Sequence, residues 1–261
     1  MQAATSGTLS IMAETIPLRF LTCESNVHMR AMVKEIQFSR YSFNSESIFD
    51  LLPKEDLALL EEHMRLKKVP KGRILFEEGG RPRTVYILKR GKVKIFQQSP
   101  NGTEQLVYIY SAGEMFGYRP LLSNEPHPTS AQTIEECGIY FLSDRVFMNV
   151  LNKSSALSNL LLKNLSHEFS VLVNRIATFS LRSAKERIAL CLLIVNEKYR
   201  KKSAGNPEIT ISRADLASFA GTTGETLARM LTRFKSEKII STRGRKLSIL
   251  KPQALLEMTE L

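Results

Sequence analysis

Two side chains near the C-terminal end raise the first chemical question. Glu225 and Arg229 stand four residues apart beside Gly224 and Ala228, in a segment whose Leu227, Met230, Leu231 and Phe234 fall on the opposite helical face. On a helix lying in a major groove, an arginine bonds guanine O6 and N7, and a glutamate accepts from cytosine N4. The same spacing also makes a surface ion pair worth about 0.3 to 0.5 kcal/mol. The surroundings favour base reading. Arg213, Arg233, Arg243, Arg245 and Lys246 stand where duplex phosphates would run, with the hydroxyls of Ser212, Thr223 and Thr226 as further phosphate contacts and Lys235 as another nearby cation.

The elements that must position these groups follow from local signals. Ser212 reads as the N-cap of a helix, with Asp215 three residues on, close to a capping box. Leu216 and Ala220 supply apolar packing, Ala217 is small where a second helix crosses, and Gly221 supplies a left-handed turn. Thr223 then caps the second helix. Beyond it, Arg243-Gly244-Arg245 forms the tip of a hairpin between two apolar runs, which reads as a wing. The whole is a winged helix-turn-helix.

Charge agrees with this placement. The chain has 261 residues, 37 Lys and Arg against 26 Asp and Glu, and a formal charge of +11. From Ser183 to Leu261 there are 15 Lys and Arg against 8 Asp and Glu, so +7 of the excess sits in that part. Such clustering suits a polyanion. Length allows two domains, and a 43% hydrophobic, 24% charged composition excludes wholesale disorder and collagen-like repetition. Cys23, Cys137 and Cys191 lie far apart with no histidine at ligand spacing, so no metal is expected. An odd cysteine count without a secretion signal points to the cytoplasm, and no apolar run reaches 18 residues, so no membrane partner is expected.

Upstream, residues 1–44 show no sustained periodicity and read as a poorly ordered arm. After a short helical lead-in, glycine-punctuated apolar runs between Val69 and Phe147 predict about eight antiparallel strands, over a domain at 45–150. Glycines then stop until Gly205. Leu162, Leu165, Phe169, Leu172, Ile176 and Phe179 step by 3, 4, 3, 4 and 3, a heptad seam on a helix at 151–180. That seam suits pairing of two copies; packing on the chain's own sheet is the alternative. The C-terminal domain takes 181–261. The fold class is α+β: an antiparallel β-roll, a long dimerisation helix and a winged helix-turn-helix.

This order, with Gly221-Thr-Thr-Gly-Glu-Thr-Leu-Ala-Arg229 and Pro70-Lys-Gly-x-x-Leu-Phe-x-Glu-Gly79, resembles the Crp/Fnr family of bacterial transcription regulators over about residues 47–252. The resemblance implies a cyclic-nucleotide-binding-like jelly roll and a homodimer on a two-fold symmetric double-stranded DNA site. It implies RNA polymerase as a partner if the chain is an activator. It also implies an effector pocket, and there the sequence departs from the family. In members that bind cyclic AMP, a Gly-Glu pair holds the ribose and an Arg followed by Ser or Thr holds the phosphate. The matching positions here are Gly117-Tyr118-Arg119 and Thr129-Ser130, or Pro128 in place of Thr129 if the loop is counted differently, while Leu172 and Val173 replace hydroxyl residues that meet the adenine. Losing the guanidinium removes several kcal/mol from anion binding, of order 3 to 5 for a buried pair, so cyclic AMP is not expected. Arg119 stands one residue from the Glu position, where a substitute cation swinging inward is the alternative and a pocket-rim salt bridge the expected use. The family's iron–sulfur variant needs a cysteine cluster that Cys23 alone does not supply, and nothing supports haem at His63, His127 or His167. Gly224 stands where some relatives carry another base-reading arginine, so their operator does not transfer simply.

The expected function is sequence-specific DNA binding as a homodimeric regulator whose pocket lacks the usual Glu and Arg. The alternative is a sensor or interaction module whose roll takes another ligand and whose C-terminal domain contacts protein. An enzyme is not expected, nor a cofactor: there is no Gly-Lys-Ser/Thr phosphate loop, no His-Glu-x-x-His and no nucleophile elbow.

Overall fold

The computed structural model describes residues 40–43, 47–200 and 207–259. Most of the N-terminal arm lies outside the described residues. Phe43 is within them, buried at 2% exposure.

Two short helices, α1 (Ile48–Leu51) and α2 (Lys54–Glu61), lead into eight strands. These are β1 (Arg65–Val69), β2 (Ile74–Phe76), β3 (Thr84–Arg90), β4 (Val93–Gln98), β5 (Glu104–Tyr110), β6 (Met115–Phe116), β7 (Ser130–Thr133) and β8 (Cys137–Ser143), with helix α3 (Arg119–Ser123) between β6 and β7. They form two antiparallel four-stranded sheets, ordered β1-β8-β3-β6 and β2-β7-β4-β5. The expected β-roll is thus present, and it begins at Arg65, slightly before the first alternating run.

Strand β3 shows why polar residues do not alternate along it. Tyr86 and Leu88 enter the core between the sheets, whereas Val85 and Ile87 enter a second core against the helices. A strand covered on both faces is apolar on both. The helical layer continues with α4 (Asp144–Lys153), whose Phe147 and Val150 are buried in that second core. The 27-residue α5 (Ser155–Leu181) follows and contains the whole predicted seam.

Helix α6 (Ala184–Tyr199) starts the C-terminal part with a complete capping box between Ser183 and Glu186. Helices α7 (Arg213–Phe219) and α8 (Gly224–Ser236), hairpin β9 (Ile240–Arg243) and β10 (Lys246–Ile249), and α9 (Pro252–Met258) complete the winged helix-turn-helix. Roll and winged helix belong to one compact unit spanning 38–261. A bulge makes that union possible. Ile95 pairs with Tyr108 and Phe96 with Leu106, leaving Val107 as the extra residue. Leu106 and Ile109, three apart, therefore both join the core of the winged helix, where strict alternation would have sent one of them the other way.

Gly91, between β3 and β4, has φ +95°, and a Cβ there would lie 2.5 Å from Cys137 Sγ and 2.9 Å from its Cα. Gly102 has φ +81° with nothing within 4 Å. Gly91→Ala should therefore destabilise the chain by about 2 to 4 kcal/mol and Gly102→Ala by about 1. Urea midpoints of the two variants check this; equal losses would show that the tight approach costs nothing.

Candidate nucleic-acid interface

The predicted caps are present. Ser212 Oγ accepts from the Asp215 amide at 2.9 Å, and Thr223 Oγ1 accepts from the Thr226 amide at 3.2 Å. Asp215 does not complete a capping box. Its carboxylate takes the Ser212 hydroxyl at 2.6 Å and Lys94 of β4 at 2.8 Å. Gly221 turns the chain at φ +59°, and a Cβ there would fall 2.5 Å from the Phe179 ring. The turn is held from behind by Arg187, a residue with no sequence signal. Its guanidinium donates to the carbonyls of Arg182, Ala220 and Gly221 at 2.8, 3.1 and 3.0 Å.

Helix α8 buries Leu227, Leu231 and Phe234 and half-buries Met230, as its pattern requires. Gly224, Glu225, Ala228 and Arg229 are exposed together on the other face. No ion pair joins Glu225 to Arg229. Arg233 is taken by Glu237 at 2.8 Å and Lys246 by Glu208 at 2.5 Å, both on the surface, where such pairs contribute little and yield readily to a phosphate. Ser212, Thr223, Arg243 and Arg245 are exposed, whereas Arg213 and Thr226 are half-buried.

The effector positions are differently placed. Gly117, Tyr118 and Ser130 are buried and Thr129 half-buried. Tyr118 packs with Phe147 in the helical core, ring centroids 6.3 Å apart. Arg119 reaches α5 and pairs with Glu168 at 2.5 Å. Burial raises the Glu168 pKa, and the Arg119 charge opposes that rise. The roll interior is filled by aromatic rings: Phe116 stacks on Tyr86 at 5.2 Å and on Tyr110 at 4.8 Å, and Phe76 stacks on His127 at 3.9 Å. His63 is exposed and His167 lies 5.7 Å from Phe43. Leu172 and Val173 point outward at 41% and 49% exposure.

Along α5 the seam stands bare. Leu162, Phe169 and Ile176 are 63%, 69% and 67% exposed, and Phe179 joins them at 37%, while Leu165 is half-buried.

A buried polar cluster joining roll to winged helix was not legible in the sequence. Lys198 of α6 donates to both Glu114 carboxylate oxygens at 3.0 and 2.9 Å, to Tyr108 Oη at 2.8 Å and to the Phe43 carbonyl at 2.7 Å. Glu114 also accepts from the Ser111 amide at 2.6 Å. Burial pulls the Lys198 pKa down while the Glu114 charge holds it up. A second bridge runs from Lys94 to Asp215 and to Glu104, the latter at 2.5 Å. Helix α7 also lies along β5: Ser218 Oγ accepts from the Leu106 amide at 2.7 Å, and Gln105 Nε2 donates to the Ser218 carbonyl at 2.6 Å.

Among the described residues no three His, Cys, Asp or Glu side chains converge as a metal site. Burial pushes the Cys137 thiol up to about 11 and the Cys191 thiol up to about 12, so both stay protonated near neutrality. No helix of the described residues is long and apolar enough to cross a membrane.

A β-roll, a long helix and a winged helix-turn-helix with an open recognition face define a DNA-binding transcription regulator. Known proteins agree. The cyclic nucleotide-binding domain family matches residues 66–154 and the Crp-like helix-turn-helix domain family residues 186–258, together more than half of the chain. The fumarate and nitrate reduction regulatory protein of Yersinia pestis is 25% identical over 239 residues, covering 88% of this chain and 95% of that protein. The transcriptional activator protein Anr of Pseudomonas protegens is 28% identical over 201 residues, covering 76% and 82%. The solved structure of FixK2 from Bradyrhizobium japonicum, at 19% identity, shares the fold with a TM-score of 0.67 over 75% of this chain and 96% of that one. The chain belongs to the Crp/Fnr family of transcription regulators.

The Lys198 pair gives a sharp test. Lys198→Met alone should cost about 3 to 5 kcal/mol by stranding the Glu114 charge, and adding Glu114→Leu should recover part of the loss. A double-mutant cycle by urea unfolding measures it; additive losses would mean that the two groups are not coupled.

Proposed function

We propose that the chain regulates transcription as a homodimer paired along α5, reading a two-fold symmetric operator with one α8 per half-site. The observation that carries the reading is the open face of α8, where Glu225 and Arg229 are exposed and not paired with each other. Arg229 is assigned to a guanine edge and Glu225 to a cytosine, with Gly224 and Ala228 allowing close approach of the helix. Arg213, Arg233, Arg243, Arg245, Lys246, Ser212, Thr223 and Thr226 are assigned to phosphates, which fix register. The functional division follows the sequence expectation: roll at 45–150, pairing helix at 151–180, DNA-binding part at 181–261.

The bare α5 seam supports the dimer, because a heptad row of large exposed apolar side chains is what a second copy covers. The roll is assigned a signal other than cyclic AMP, or none. Tyr118 is committed to the helical core and Arg119 to Glu168, so neither offers the ribose or phosphate contact that the family's nucleotide binders use. Contact with RNA polymerase follows if the regulator activates.

Arg229→Ala should cost about 1 to 3 kcal/mol of discrimination at one base pair per half-site and leave the dimer intact. Binding-site selection from a random library checks this, and an unchanged preferred sequence would remove Arg229 from base readout. Separately, the double variant Phe169→Glu, Ile176→Glu should sediment as a monomer with unchanged secondary structure; a dimer in analytical ultracentrifugation would place the pairing surface elsewhere.

A further inference from the structure

A cleft of about 510 Å³ opens between the roll and the winged helix. One wall is the Lys71-Gly72 turn ahead of β2 together with Gln132 of β7. The other is Arg213 of α7 and Arg245 at the wing tip. Three basic residues from separate segments thus line one space, and none of them pairs with a carboxylate among the described residues. The cleft's carboxylate, Asp215, is neutralised by Lys94 at 2.8 Å.

Arg213 makes the arrangement costly as it stands. Its Nη1 is out of solvent and has no hydrogen-bond partner, and burial lowers its pKa. A shielded guanidinium nitrogen without an acceptor is destabilising, the more so when charged, and an anion relieves it. The volume lies within the roughly 300 to 1,000 Å³ of small-molecule sites, too small for a duplex to enter.

We propose that this cleft binds a small phosphate-bearing anion, gripped by Lys71 of the roll and by Arg213 and Arg245 of the winged helix. The site goes beyond the DNA-binding reading and stands without it. Its occupant draws the two parts together, because each wall supplies a cation the other lacks. Arg213 also lines the groove of about 270 Å³ beside Gly224 and Ala228 of α8, so the anion engages a side chain that faces the recognition helix as well.

The test uses the full-length ¹⁵N-labelled chain titrated with pyrophosphate, with chloride matching ionic strength. The Gly72 and Gly244 amides, one on each wall, should shift together and saturate with one dissociation constant. Lys71→Ala, an exposed turn position outside every core, should weaken that constant about tenfold, and Arg245→Ala should do the same. Three outcomes would overturn the proposal: no saturation, shifts confined to the winged helix, or an affinity unchanged by Lys71→Ala. The last two would mean that pyrophosphate only mimics a duplex phosphate at the DNA-facing surface.

Discussion

The arrangement of roll and winged helix depends on Lys198 and Glu114 being buried together. Each charge alone would be expelled from a low-dielectric interior at a cost of several kcal/mol, of order 3 to 5 on breaking the pair. With Tyr108, Ser111 and the Phe43 carbonyl completing the contacts, the pair is satisfied on every side. Such a cluster tolerates one geometry. It fixes α6 against the roll, and α6 carries the winged helix behind it. Apolar burial of Leu106 and Ile109 supplies the adhesion at this junction, and the polar cluster supplies its register.

This division of labour explains what could be read from the sequence. The roll, the seam and the helix-turn-helix are written in local periodicity and local caps: steps of 3 and 4 on α5, Ser212 and Thr223 before α7 and α8, glycines between strands. Each signal needs only neighbours in the chain. Lys198 and Glu114 are 84 residues apart, and Lys198 opens a run of basic residues that reads as an ordinary solvated helix end. Arg187 is likewise silent, since two of its three carbonyl partners are 33 and 34 residues away. The Val107 bulge was hidden for a different reason: Leu106-Val-Tyr-Ile-Tyr is a faultless alternating strand on paper, and only the partner strand reveals the extra residue.

The roll has the family's architecture. Aromatic stacking occupies the space between the sheets, and Arg119 reaches directly from roll to long helix through Glu168. Arg213 and Arg245, proposed as phosphate contacts, also line the cleft behind the wing, so the two proposed sites share residues.

The contact of α7 with β5 carries one last consequence. Strand β5 is an edge of its sheet, and an open edge is a template on which another chain can add a strand. Ser218 and Arg175 bond to its backbone, and its own Gln105 reaches the Ser218 carbonyl. The DNA-binding part therefore also serves as a cover for the roll. Truncating the chain after α5 to obtain an isolated sensor would bare both that edge and the apolar Leu106 and Ile109, and the product would be prone to aggregate by strand addition.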